Sequence, residues 1–282
     1  MIGWLAQPLA YPFMVRGLVA SLLVGTTCAI LGTYVVLKGM AFFGDALAHA
    51  ILPGVAVAYL AGWPLFAGAL VAGVGIAVGI GYLTRRGRIK EDTAIGILFS
   101  GAFALGIALL STVEAYAVDL THFLFGNVLG VSPTDLWVTA GLAGLVLLLV
   151  ILFYKELLVM AFDPVLAQVL RLPTGFLHYL LLVMLAATVV VALQTVGVAL
   201  TVAMLVTPAA TAYLLTRRLP TMMALAALFG NLSAVAGLYL SYYVNIASGP
   251  AVVLVCTTLF LLALLFSPRR GLLARRLRAR GG

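Results

Sequence analysis

Runs of about 20 apolar residues recur from one end of the chain to the other, each long enough to cross roughly 30 Å of hydrocarbon as a helix. They lie near 17–37, 43–61, 63–84, 94–113, 137–154, 177–197, 199–215, 222–243 and 250–267. Pro53 interrupts the second and Pro208 the seventh, so nine spans, or eight and a partial one, are both consistent with the pattern. The composition agrees: 65% of the 282 residues are apolar, 9% are charged, and the mean hydropathy is +1.23. Soluble domains run near 45–50% and 25%. The expected fold class is therefore all-α, a polytopic helical membrane protein with eight to nine transmembrane helices. No linker rich in Pro, Gly or Ser divides the chain and no inverted repeat is detectable, so residues 1–282 are expected to form a single transmembrane domain.

The net charge of +8 carries information about topology. Fourteen of the sixteen Lys and Arg residues fall in RRGRIK at 85–90, in the loop from Lys155 to Arg171, at Arg217 and Arg218, and in the tail from Arg269 to Arg280. Such clusters face the cytoplasm. The stretch 114–136 holds Glu114, Asp119, His122 and Asp135 with no Lys or Arg, which suits the opposite side. Counting back through nine spans puts the N-terminus outside and Lys38 inside; eight spans would move the N-terminus inside. The first residues, MIGWLAQPLAYP, have no basic stretch before their apolar residues, so the first span is expected to be retained and not cleaved as a signal. Cys28 and Cys256 fall within spans and read as small apolar residues, not as a disulfide framework. The tail RRGLLARRLRAR reads as an orientation-fixing stop signal, or as a helix lying on anionic lipid. A nucleic-acid role has no support.

Against this apolar background, Asp45 and His49 stand out. An ionisable group at the bilayer centre costs roughly 2.5–3.5 kcal/mol even on translocon scales, so it is usually paired and placed on an ion or proton pathway. Residues four apart lie about 40° apart around a helix, so a carboxylate oxygen and an imidazole nitrogen can converge on one point. A mixed O/N pair suits Zn, Mn or Fe(II) better than an alkali ion. Two ligands are too few for tight capture, which is compatible with a conduit that must release its ion; a homodimer with both pairs near its axis would supply four. The alternative is an Asp that caps a helix beginning near Gly44, with His49 a satisfied polar residue.

No GxxxxGK phosphate loop is present: Lys38, Lys90 and Lys155 are the only lysines, and none follows a glycine. HExxH and Cys/His clusters are also missing from the sequence. If ATP drives transport, a separate subunit supplies it, and this chain is not itself an enzyme. It is expected to bind no cofactor.

The segment GMAFFGDALAHAILPGVA at 39–56 resembles the signature of permease subunits from bacterial ABC importers of zinc, manganese and iron. Four further segments match in the same order: EDTAIGILFSGAFALG at 91–106, LTHFLFGNVLGVS at 120–132, VGVALTVAMLVTPAATA at 196–212, and SGPAVVLVCTTLFLLALLF at 248–266. The organisation resembles, more distantly, the permeases of vitamin B12 and siderophore importers, which form dimers above two ATPase subunits. The resemblance implies a multi-pass protein of the bacterial plasma membrane, working as a homodimer with two ABC-type ATPase subunits and an extracytoplasmic metal-binding protein. It associates Asp45 and His49 with the metal path. It also implies a short cytoplasmic helix that enters a groove of the ATPase, and MAFDPVLAQVLRLP at 160–173 is similar to it, with Asp163 as cap, Pro164 at the first position and Ala167 leaving room for a partner. A proton-driven secondary carrier remains the alternative, since it too would use an intramembrane Asp and His.

Smaller expectations attach to other residues. Glu114, Asp119 and His122 form a candidate acidic entrance that concentrates cations and helps a binding protein dock, or else a solvated loop. His178 is expected at the membrane interface. Gly75 and Gly79 make a GxxxG suited to close helix approach. Pro208 is expected to break or kink its span. Asn231 and Ser233 are expected to hydrogen bond across helices.

Overall fold

The computed structural model describes residues 7–85, 89–112 and 128–267. The entrance candidates Glu114, Asp119 and His122 lie outside them. Among the described residues every regular element is helical. In chain order the main helices are α1 (Pro12–Lys38), α2 (Phe43–Ala50), α3 (Leu52–Ala61), α4 (Leu65–Thr84), α5 (Glu91–Leu110) and α6 (Pro133–Leu152). They continue with α7 (Tyr154–Phe162), α8 (Pro164–Val169), α9 (Thr174–Val196), α10 (Val198–Leu215), α11 (Leu219–Val244) and α12 (Ser248–Phe266). Counting α2 and α3 together as Phe43–Ala61, nine helical segments among the described residues are long and apolar enough to cross a membrane. This matches the higher of the two span counts.

Helix boundaries follow local chemistry. Pro53 falls in the first turn of α3, where its missing N–H is one that no helix could use, and α2 accordingly stops at Ala50. Gly62 ends α3 in the left-handed region at φ 68°, a conformation that glycine adopts without a Cβ penalty. Ser132 and Asp135 form a reciprocal cap at the start of α6: the Ser132 amide donates to the Asp135 carboxylate at 3.2 Å, and the Asp135 amide to the Ser132 hydroxyl at 3.1 Å. Pro208 does not break its span, because α10 runs unbroken through it. Pro208 is buried, and α10 packs against both α11 and α12.

Packing groups the chain into two compact units. The first comprises Met1–Val36, Asn127–Ala140 and Thr195–Gly282. Within it α10, α11 and α12 pack on one another. The α1 backbone at Gly32 lies so close to the Leu205 carbonyl of α10 that a side chain there would collide with it. Beside this contact, Asn231 of α11 donates to the Thr26 hydroxyl of α1 at 2.9 Å and accepts from it at 3.2 Å. This is the interhelical bond expected of Asn231. Ser233 donates its hydroxyl proton to Phe229 O of its own helix at 2.7 Å and also interacts with the Cys256 side chain of α12.

The second unit comprises Leu37–Gly126 and Gly141–Gln194. Here α2 and α3 pack against α4 and α5. The tightest crossing joins α3 to α4, where Gly54 and Gly68 each sit against the other's carbonyl oxygen. Gly75 and Gly79 are not the close-approach pair: a Cβ at Gly75 would meet nothing within 4 Å, and one at Gly79 only the Leu98 side chain at 3.2 Å. Spacing along one helix is blind to which face meets a neighbour.

Two mutations contrast these positions. Gly54→Ala should destabilise the folded protein by about 1–3 kcal/mol through overpacking, whereas Gly75→Ala should be neutral or mildly stabilising through helix propensity. Thermal unfolding in detergent reads both; equal effects would contradict the packing described.

Candidate functional site

The short helix α2 is built almost entirely from small or apolar residues. Phe43, Gly44, Ala46, Leu47, Ala48 and Ala50 are buried, which leaves Asp45 and His49 as the two part-exposed positions of the helix. Their side chains are 40% and 35% exposed, and His49 Nε2 lies 4.0 Å from Asp45 Oδ1. Asp45 occupies the first turn and His49 the last, the ends at which the helix dipole favours a negative and a positive charge respectively. The capping alternative does not describe Asp45. The position before the helix is Phe42, and no neighbouring amide among the described residues donates to the Asp45 carboxylate.

An aromatic wall from α5 backs the pair. The His49 ring lies 5.8 Å from the Phe103 centroid and 6.3 Å from that of Phe99, and those two rings stack at 5.8 Å. Phe42 meets Phe99 edge-on at 5.9 Å. The imidazole is thus held by packing. A tetrahedral metal with bonds of about 2.1 Å needs its ligand atoms roughly 3.4 Å apart. The observed 4.0 Å is closed by a modest side-chain rotation. Among the described residues no group of three or more His, Cys, Asp or Glu is placed to hold a metal ion, so Asp45 and His49 stand as a pair without a third such side chain.

The segment that resembles an ATPase-contacting helix takes the local form expected of it. Asp163 is the N-cap of α8, its Oδ1 accepting from the amides of Val165 at 3.0 Å and Leu166 at 2.9 Å, and Pro164 occupies the first turn. Ala167 is fully buried, so its small size serves packing within the chain and does not face outward. The outward surface is apolar instead, carried by Val165, Leu166, Val169 and Leu170.

A second polar cluster has no motif in the sequence to announce it. Lys38 at the end of α1 forms an ion pair with Glu91 Oε1 at the start of α5, at 3.0 Å. Its ammonium also lies 3.2 Å from His178 Nδ1, while His178 Nε2 is 3.1 Å from the Thr84 hydroxyl at the end of α4. All four residues belong to the second unit and line or adjoin a cavity of about 560 Å³, to which Arg85 and Lys90 also contribute. His178 is therefore an internal hydrogen-bonding residue and not merely an interfacial one. The signal that could have found the cluster is a lone Lys at the end of one apolar run and an acid at the start of another.

Comparison with known proteins identifies the lineage. The family model described as the ABC 3 transport family matches residues 10–267. The manganese transport system membrane protein MntC of Halalkalibacterium halodurans is 54% identical over 269 residues, 95% of this chain and 92% of that protein. The chelated iron transport system membrane protein YfeD of Yersinia pestis is 43% identical, covering 95% of this chain and 90% of that protein. Among solved structures, PsaBC from Streptococcus pneumoniae in complex with Fab superposes with a TM-score of 0.84 at 40% identity, covering 99% of this chain and all of that one. A putative metal-chelate type ABC transporter in an inward-facing conformation shares the fold, with a TM-score of 0.71 at 15% identity over 89% of this chain and 85% of that one. The chain belongs to the ABC 3 transport family.

Proposed function

We propose that this chain is the membrane-spanning permease subunit of an ATP-driven importer of a divalent transition metal, with manganese the favoured substrate and iron the next. The observation that carries the reading is the α2 surface: a helix buried on every side except at one carboxylate and one imidazole, in a family of transport proteins. MntC and YfeD, named for manganese and chelated iron transport, narrow the metal, and neither name mentions zinc. Asp45 and His49 meet the ion during passage. Residues 1–282 act as one permease domain in the bacterial plasma membrane, two copies form the path, and an extracytoplasmic protein delivers the metal.

ATP hydrolysis resides in two copies of a separate ABC-type subunit. The apolar outer surface of α8, capped by Asp163 and started by Pro164, is the contact with that subunit, and Ala167 packs α8 onto this chain. In this reading Glu114, Asp119 and His122 belong to the outer entrance, where their charge draws cations toward the path.

Uptake of radiolabelled Mn, Fe and Zn into proteoliposomes holding this chain with its ATPase and binding protein tests the reading. Uptake should require ATP on the ATPase side; uptake that follows a proton gradient without ATP would make the chain a secondary carrier. Asp45→Ala and His49→Ala should each abolish uptake while leaving assembly intact, and wild-type flux in both would remove the site assignment. Val165→Glu combined with Val169→Glu should weaken co-purification of the ATPase by roughly tenfold or more, since a buried unpaired charge costs several kcal/mol at an interface. Undiminished co-purification would place the contact elsewhere.

A further inference from the structure

The polar cluster around Lys38 stands between the two ends of the proposed mechanism. From α8 the chain turns sharply into α9. Leu172 N donates to Ala167 O at 3.0 Å, Thr174 N to Leu172 O at 2.7 Å, and Arg171 adopts φ 54°, a left-handed conformation uncommon for a non-glycine residue. His178 lies one turn into α9, just beyond this corner.

The ring's hydrogen bonds are assigned by their partners. The Lys38 ammonium can only donate, so Nδ1 accepts from it at 3.2 Å. Nε2 is then the N–H that donates to Thr84 Oγ at 3.1 Å, and that hydroxyl donates to Ile80 O at 2.9 Å. Lys38 is shared between this ring and Glu91, whose carboxylate lies 3.0 Å from the ammonium and 3.7 Å from Nδ1. A shift of His178 therefore changes how the Lys38 ammonium is divided between the ring and Glu91. Glu91 opens α5, and Phe99 follows on the same helix about 12 Å along its axis, with Phe103 one turn further. Those are the two rings packed against His49. Every step of this chain of contacts lies within the second unit.

We propose that Lys38, Glu91, His178 and Thr84 are positioning residues that transmit movement of α8 to the Asp45/His49 pair, so that the aromatic wall behind His49 shifts when the ATPase engages. The proposal rests on the permease reading above. Its switching element is the Lys38 ammonium, whose N–H donors are divided between Glu91 Oε1 at 3.0 Å and His178 Nδ1 at 3.2 Å. Lys38 also precedes the loop into α2, so the same contact restrains the helix that carries the pair at its entry.

The test is the ratio of metal imported to ATP hydrolysed, in the reconstituted complex of this chain with its ATPase and binding protein. Glu91→Gln should lower that ratio by roughly tenfold, inside the about 5- to 150-fold range of allosteric coupling. Thr84→Val, which removes the hydroxyl's bonds to His178 and to its own helix and keeps the side-chain volume, should lower it by about threefold. The double variant Lys38→Glu with Glu91→Lys restores the opposed charges and should recover at least half of the wild-type ratio. A merely structural role would reduce uptake and hydrolysis together and leave the ratio unchanged, which would overturn the proposal, as would a normal ratio in Thr84→Val if Glu91→Gln fails to assemble. Failure of the charge swap to improve on Glu91→Gln would overturn it as well. Absence of ATP-driven uptake by the wild-type complex would instead remove the permease reading, and this proposal with it.

Discussion

Hydrocarbon offers a backbone no hydrogen bonds, and each unsatisfied peptide group within it costs several kcal/mol, so a chain of this composition is obliged to satisfy its polar groups internally. The same constraint disciplines the side chains. Thr33, Ser100, Thr201, Thr211 and Ser233 all return their hydroxyls to a carbonyl of their own helix. Thr26 and Asn231 satisfy one another across two helices. Against that economy, a carboxylate and an imidazole left part-exposed on a helix whose other positions are buried are conspicuous.

Much of this is legible in the sequence. Span number and helical class follow from apolar runs whose length matches a bilayer, and such runs have few alternative solutions. Asp163 and Pro164 can be read as a helix start because an N-cap is a local device, decided by residues within one turn. What escapes the sequence depends on distant partners. Lys38 meets Glu91 across 53 positions and His178 across 140, and no periodicity links them. Gly75 and Gly79 are plausible by spacing, but Gly54 and Gly68 make the close crossing because contact needs a small residue on both helices at one level. Ala167 reads as small for the sake of a partner and proves small for the sake of its own chain. Pro208 reads as a break or a kink, and the break does not occur, since the proline is carried inside one continuous helix.

The second unit draws together the features most relevant to transport. The α2 pair, its aromatic backing, the polar cluster and the apolar face of α8 all lie in it. The crossing at Gly54 brings α3 against α4 with no intervening side chain, and Pro53 separates α3 from α2 without loss of a usable amide. Donor chemistry alone does not choose the metal. Asp and His bind zinc more tightly than manganese by the ordinary affinity order, so a manganese pathway built on this pair takes its selectivity from delivery, geometry or the remaining coordination positions.

Asp45 and His49 stand on a single turn of one short helix, and that turn moves as a rigid piece. On the metal reading, no backbone movement can release the ion by drawing these two donors apart, since the backbone between them has no joint and only side-chain rotation changes their separation. The pair behaves as a fixed two-pronged claw whose grip is set from outside itself. Ligands or water that complete the coordination sphere strengthen or weaken the hold, and the direction in which the open positions face decides where the ion goes next. Alternating access, for such a claw, is a matter of re-roofing it.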